Sequence, residues 1–310
     1  MRLFYAVNFE EEIRDRLCGV IRGLRPCCEG GRFTRPENLH LTLVTVPHKK
    51  GACDLAALAA AIDAETAAVI VQNPNFFGTV ADFTALFDAT RAAGAVSIVS
   101  VYPVLQAVLK TPAEMGADIA TAEGQSLGLP LSFGGPYLGV MTCSKELIRQ
   151  MPGRIVGRTE DTQGRTGYVL TLQAREQHIR RQRATSNICS NQALCALRAL
   201  LYLCLVGQEG LTRTANLCLE RAHYAAERLT AIPGVALLSG CAPFGNEFAV
   251  TLPVNAYQVI DKLTGRGVVP GFPLGRYYAG LENALLVACT EKTSMESIGI
   301  FAEMLRGCLK

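Results

Sequence analysis

From Asp54 onward short apolar runs alternate with helical stretches, and this alternation limits the fold more than any other feature of the chain. Ala67–Gln72, Val96–Val101 and Asp118–Ala122 each read as a strand of about five residues with no clear polar face. Between them lie the amphipathic stretch Leu55–Ile62 and the helix Ala81–Ala93, with Gly94 at its C-terminal stop. Strands that are apolar on both faces need a layer on each side, so the pattern predicts an α/β chain with a mostly parallel sheet. Tyr137–Thr142 adds a strand and Lys145–Met151 a short helix, followed by the long helices Leu194–Leu205 and Leu211–Ala231. After Pro233–Gly234 the order becomes β-β-α-β-α: Val235–Leu238, Glu247–Leu252, Tyr257–Arg266, Ala284–Cys289 and Met295–Leu309. This tail predicts a small α+β domain over residues 233–310, after a large domain over 47–232. With 310 residues, 49% of them hydrophobic and 18% charged, the chain can bury cores for both.

The front, residues 1–46, reads strand–helix–strand. Leu3–Val7 is β-prone, Glu10–Leu24 carries a helical stripe, Gly30–Gly31 marks a loop and Leu39–Val46 alternates as a strand. A net charge of +3 gives no footprint for nucleic acid or a membrane surface. The longest apolar run, Ala193–Val206, is interrupted by Arg198 and is short for a bilayer span. The N-terminus is acidic where a secretory signal would be basic. Twelve cysteines are scattered without a C-x-x-C pair, which points to reduced thiols, no metal site and a cytoplasmic protein.

Two resemblances follow. The segments MRLFYAVNFEEEIRDRL and FTRPENLHLTLV resemble the opening of the 2′-5′ RNA ligase family, 2H phosphoesterases that act as RNA 2′,3′-cyclic phosphodiesterases. The period of a strand puts His40 and Thr42 of the H-x-T motif on one face. That chemistry needs a second histidine, as acid to the first one's base. The remaining histidines, His48, His178 and His223, stand in HKK, HIR and HYA contexts, so half the site is missing and the fragment is expected to be inactive.

Residues 47–310 resemble the first-subunit type of the two-subunit glycine dehydrogenases, the P-proteins of the glycine cleavage system. The resemblance runs through DLAALAAAIDAETAAVIVQNPNFFG, EGQSLGLPLSFGGPYLG, RQMPGRIVG, LTLQAREQHIRRQRATSNICSNQALCAL, LGRYY and LLVACTEK. It implies a pyridoxal-phosphate-dependent transferase architecture of fold type I, with its large domain N-terminally truncated because the 2H-like segment replaces the usual front. A recombined, chimeric chain is expected. The resemblance also implies a glycine decarboxylase whose aminomethyl product passes to the lipoyl arm of the carrier H-protein.

A pyridoxal enzyme needs a lysine amine to hold the cofactor. No lysine lies between Lys110 and Lys145, and the place of the family's His-Lys pair falls at Gln125–Ser126. The resemblance therefore implies a subunit 1 that has no catalytic residue of its own. It pairs in a heterotetramer with a lysine-bearing subunit 2, which holds the pyridoxal phosphate. Near Val101–Pro103, where such enzymes place an acid for the pyridinium nitrogen, Tyr102 stands instead. Candidate interface or active-site-edge residues are Asn75, beyond the strand 67–72, with Gln125 and Ser126, and Thr185, Ser186 and Asn187, which precede an apolar helix and read equally as its cap. Arg276 is a further candidate, as a guanidinium suited to a carboxylate. Phe76 and Phe77 read as core plugs, and Gly134–Gly135–Pro136 as a turn supporting an interface. The cluster Arg175, Arg180, Arg181 and Arg183 reads as a solvated helix face or a partner contact, without the aromatics that single-stranded nucleic acid would need.

Overall fold

Apolar strands with no polar face become a parallel sheet between layers, and six strands do so here. The structure, a computed structural model, describes residues 2–5, 42–46, 48–151, 155–172, 177–181 and 192–309. The strands are β1 (Arg2–Tyr5), β2 (Thr42–Thr45), β3 (Thr66–Asn73), β4 (Val96–Val101), β5 (Ile119–Glu123) and β6 (Gly139–Cys143), in the order β2-β1-β3-β4-β5-β6. All neighbours run parallel except β6, which returns antiparallel to β5. The residues expected to form a separate front segment are thus part of this sheet. β1 pairs with β3 from Arg2↔Thr66 to Tyr5↔Ile70, satisfying backbone groups that a sheet ending at β3 would leave open. The helix expected over Glu10–Leu24 lies outside the described residues.

Helices α1 (Leu55–Ala60), α2 (Thr84–Ala92) and α3 (Pro112–Met115) connect the strands. The Asp54 carboxylate caps α1, accepting from the Ala57 amide at 3.1 Å while Lys49 holds it at 2.7 Å. α2 starts three residues later than the sequence predicts. Asp82 is the reason: its carboxylate accepts from both the amide and the hydroxyl of Thr84, fixing a turn before the first helical residue. Val69, Val71 and Val99 pack against Leu58, Phe83, Phe87 and Met115, all at most 2% exposed. Each large side chain so buried contributes about 1.5–3 kcal/mol.

The expected helix at Lys145–Met151 shrinks to a single 3-10 turn, Lys145–Leu147. Sequence reading also missed a hairpin of β7 (Ile155–Glu160) and β8 (Thr166–Thr171). Its turn is built on Asp161, whose carboxylate accepts from the Gln163 and Arg165 amides and pairs with the Arg165 guanidinium at 2.8 Å. The one-turn α4 (Gln177–Arg180) ends at Arg181, where φ is 51°. Arg180 and Arg181 are exposed; Arg175 and Arg183 lie outside the described residues.

The two long helices of the sequence reading form one helical span, α5 (Ala193–Thr230), broken at Gly207, where φ is 61°. By length and composition this span would cross a membrane, but its apolar part before the break has 14 residues, about 21 Å at helical rise against a ~30 Å hydrocarbon core. After the break α5 buries Ala222, Ala225, Ala226 and Leu229 against a second sheet. That sheet is antiparallel, in the order β11-β12-β10-β9, from β9 (Ala236–Leu237), β10 (Glu247–Thr251), β11 (Phe272–Pro273) and β12 (Ala284–Ala288). Helices α6 (Ala256–Thr264) and α7 (Met295–Cys308) cover it, enclosing Phe248, Val250, Leu263, Leu285, Ile298 and Leu305. β11 escaped the sequence reading because two residues, one of them a proline, carry no strand signal.

Candidate functional site

In parallel sheets the space beyond the strands' carboxyl ends is where ligands bind. Asn73 of β3 pairs with Val101 of β4, and Val101 pairs with Ala122 of β5, so three following segments share one edge. They are Asn75–Gly78, Tyr102 and the loop from Gly124.

The Gly124 loop is stitched to itself. Glu123 Oε1 accepts from the Gln125 and Leu138 amides, and the Gln125 side chain donates to the Leu129 carbonyl at 2.7 Å. Leu127 and Leu129 point into a core with Val104, Leu105 and Ala199. Gly128, at φ 83°, leaves no room for a side chain against the Tyr202 ring, and its carbonyl accepts from Arg198 Nε at 2.7 Å. Beyond it the loop turns outward, with Leu131 71% exposed and Phe133 fully exposed.

Pyridoxal phosphate does not fit this edge on the residues present. Lys110 binds Asp82 and Thr84 at 3.0 and 2.6 Å, and Lys145 is exposed beyond β6, so neither amine belongs to the loop. The position for a pyridinium partner holds Tyr102, whose phenol burial pushes up to about 12, with Cys218, Glu291 and Glu247 raising it further. The Ser126 hydroxyl is close enough to act on Tyr102, yet its buried oxygen makes no well-formed hydrogen bond. Cys218 Sγ lies 3.7 Å from Glu291 Oε2, and burial pushes that thiol up to about 11, far from a reactive thiolate. Phenol, thiol and carboxyl groups thus occupy the place where an amine is required. The sequence reading missed Cys218, Glu247 and Glu291 because they come from α5 and the second sheet, distant in the chain.

Asn75 and Arg276 are brought together through aromatic rings. Phe76 meets Phe272 edge-on at 6.1 Å, Phe272 stacks on Tyr277 at 5.8 Å, and the Arg276 guanidinium lies 5.5 Å above Tyr277. Phe77 is buried against Tyr278 and His48, as a core plug. Every polar atom of the Asn75 side chain is bonded within the chain: Nδ2 to the Gly51 carbonyl, and Oδ1 to the Phe77 and Thr79 amides. His40, Thr185, Ser186 and Asn187 lie outside the described residues, as does the Thr42 side chain; Thr42 opens β2, paired with Arg2. The position capping α5 is Gln192, not Asn187. Among the described residues no group of three or more His, Cys, Asp or Glu side chains is placed to hold a metal.

Comparison with known proteins places this arrangement. The model of the glycine cleavage system P-protein family matches residues 33–305. The chain is 72% identical over 296 residues to a probable glycine dehydrogenase (decarboxylating) subunit 1 from Maridesulfovibrio salexigens, covering 96% of this chain and 67% of the relative. A protein of the same description from Geotalea daltonii is 50% identical over 273 residues, 88% of this chain and 62% of the relative. Among solved structures, a glycine decarboxylase P-protein in inhibitor-bound form superposes with a TM-score of 0.84 at 37% identity, over 100% of this chain and 66% of that one. A NifS-like protein from Rickettsia africae shares the fold, at a TM-score of 0.66 and 13% identity, over 99% of this chain and 75% of that one. The chain spans about two thirds of the length of the P-protein relatives. These matches correct the reading of the front. The family match takes in FTRPENLHLTLV, and a relative matched over 96% of the chain leaves too little for a separate 46-residue segment. The phosphodiesterase resemblance, with the roles it gave His40 and Thr42, has no support.

Proposed function

Because the chain belongs to the glycine cleavage system P-protein family, we propose that it serves as subunit 1 of a glycine dehydrogenase (decarboxylating), without catalytic residues of its own. Its work is to complete the active site of a subunit 2 that carries the cofactor lysine and holds the pyridoxal phosphate. The single observation carrying this reading is the Gly124 loop. It has the fold's cofactor-loop position but offers Gln125 and Ser126 where an amine is needed, and Gln125 is bonded inward to Leu129. The reaction belongs to the assembly: glycine is decarboxylated and its aminomethyl group passes to the lipoyl arm of the H-protein. The assembly is a heterotetramer in the cytoplasm, involving neither nucleic acid nor membrane. Within the chain, residues up to Ile232 act as the large domain and those from Pro233 as the small one.

Co-expression with a lysine-bearing subunit 2 tests this. The expected result is co-elution at the mass of two pairs, with glycine–bicarbonate carbon exchange that needs both chains. A borohydride-reducible adduct of pyridoxal phosphate at a specific lysine of this chain alone, with exchange activity, would sink the reading.

A further inference from the structure

The first half of α5 is apolar on two sides, and only one of them is buried. Ala199, Cys195 and Tyr202 face the core under the Gly124 loop. Leu194, Leu197, Leu201 and Leu205 are 80, 50, 55 and 87% exposed, at spacings of three and four residues that place them on one stripe. The outward part of the Gly124 loop adjoins this stripe, because Arg198 binds the Gly128 carbonyl and the Cys195 thiol approaches the Pro136 carbonyl at 4.0 Å. Leu131 and Phe133 therefore extend the same patch. Together these side chains expose on the order of 1,000 Å², above the ~300–600 Å² of the largest apolar patch on a typical monomer. It is comparable to the ~800 Å² that each partner contributes to a stable interface.

We infer that this face, the Leu194–Leu205 stripe with Leu131 and Phe133, is where the lysine-bearing subunit docks, packing an apolar helix against α5. The inference rests on the proposed function and gives it an address. Three observations select this occupant. The patch has the area of a stable protein interface. Its leucine spacing is that of helix against helix, with side chains of one filling gaps of the other. It also borders the loop that occupies the cofactor position without an amine, so a chain docked here stands beside the site it must supply. The relatives' description as subunit 1 agrees with an unlike partner rather than a second copy.

The test uses the full chain co-expressed with subunit 2, comparing the parent with Leu197→Asp/Leu201→Asp and with Ile300→Asp, which changes an exposed apolar residue on α7, outside the patch. Far-UV dichroism and melting temperature are measured on each, since all three positions are exposed and the fold should persist. The expected result is that the double variant folds but loses at least about tenfold in affinity for subunit 2, as loss of a central hot spot does, while Ile300→Asp binds like the parent. If the parent binds and the folded double variant binds equally well, the address is wrong and the proposed function stands. If the parent does not bind subunit 2, both fall. If the parent pairs with itself through this face in the presence of subunit 2, or binds vesicles of neutral phospholipid in preference to it, the occupant is wrong. Should the double variant fail to fold, Leu205→Gln, at the most exposed position of the stripe, is read by the same criteria.

Discussion

The Gly51 carbonyl accepts a hydrogen bond of 2.8 Å from the Asn75 side-chain amide, tying the chain before α1 to the loop after β3. The same asparagine accepts from the Phe77 and Thr79 amides, both at 3.0 Å. One side chain thus satisfies three backbone groups in a corner that is largely shielded from water. Asn75→Ala is expected to cost about 2–3 kcal/mol, since buried backbone groups lose their partners. Urea unfolding measures this, and a loss below ~0.5 kcal/mol would show that water replaces the side chain without penalty.

Gly78 is fixed by two constraints at once. Its φ is 84°, and a Cβ there would run into the backbone carbonyl of Glu247. Its own carbonyl accepts from the Gly245 amide at 2.9 Å, so the loop cannot back away without breaking its seam to the second sheet. Gly78→Ala should destabilise by more than ~2 kcal/mol, combining unfavourable φ with a backbone clash. A thermal melt within 1–2 °C of the parent's would contradict the close approach.

His48 gives the chain an acid-sensitive contact. Its Nδ1 accepts from the Gly51 amide at 3.0 Å, which only the unprotonated nitrogen can do, and burial holds its pKa below the ordinary 6.5. The unfolded chain therefore binds the proton more readily than the folded one. Stability from this group is full above ~6.5 and is lost as pH falls through the unfolded value toward the folded one. His48→Phe keeps a ring against Phe77 and Tyr278 but cannot titrate, so the slope of stability between pH 7 and 5 should flatten. An unchanged slope would place the titrating group elsewhere.

The parallel sheet was legible because its pattern is local: β4 falls at Val96–Val101 as read, and β3 and β5 within a residue or two. The role of the loop was legible from the missing lysine alone. What could not be read were features decided by distant partners. The β7–β8 hairpin depends on the Asp161 turn rather than on a long apolar run. The front strands read as another family because their few residues carry little information until β1 is seen beside β3. Tyr102 was placed correctly at a strand end, but the thiol and carboxyls around it come from residues 218, 247 and 291.

Glu247 provides a pH dependence of opposite sign to that of His48. Its carboxyl is largely buried at the start of β10, and burial raises its pKa above the ordinary glutamate value. Between the unfolded and folded values the native chain holds the proton more often than the unfolded chain does, so stability falls as pH rises through that window. Above it the folded protein carries the full cost of a buried carboxylate, near Tyr102, which that same charge pushes up. Glu247→Gln preserves the shape and the backbone carbonyl that Gly78 approaches, while removing the ionisation. The variant should match the parent near pH 4, where both side chains are neutral, and exceed it at pH 8. Denaturant unfolding at the two pH values decides the matter: an equal difference at both would mean that the carboxylate is already paired or hydrated in the folded chain, and that burial does not govern its charge.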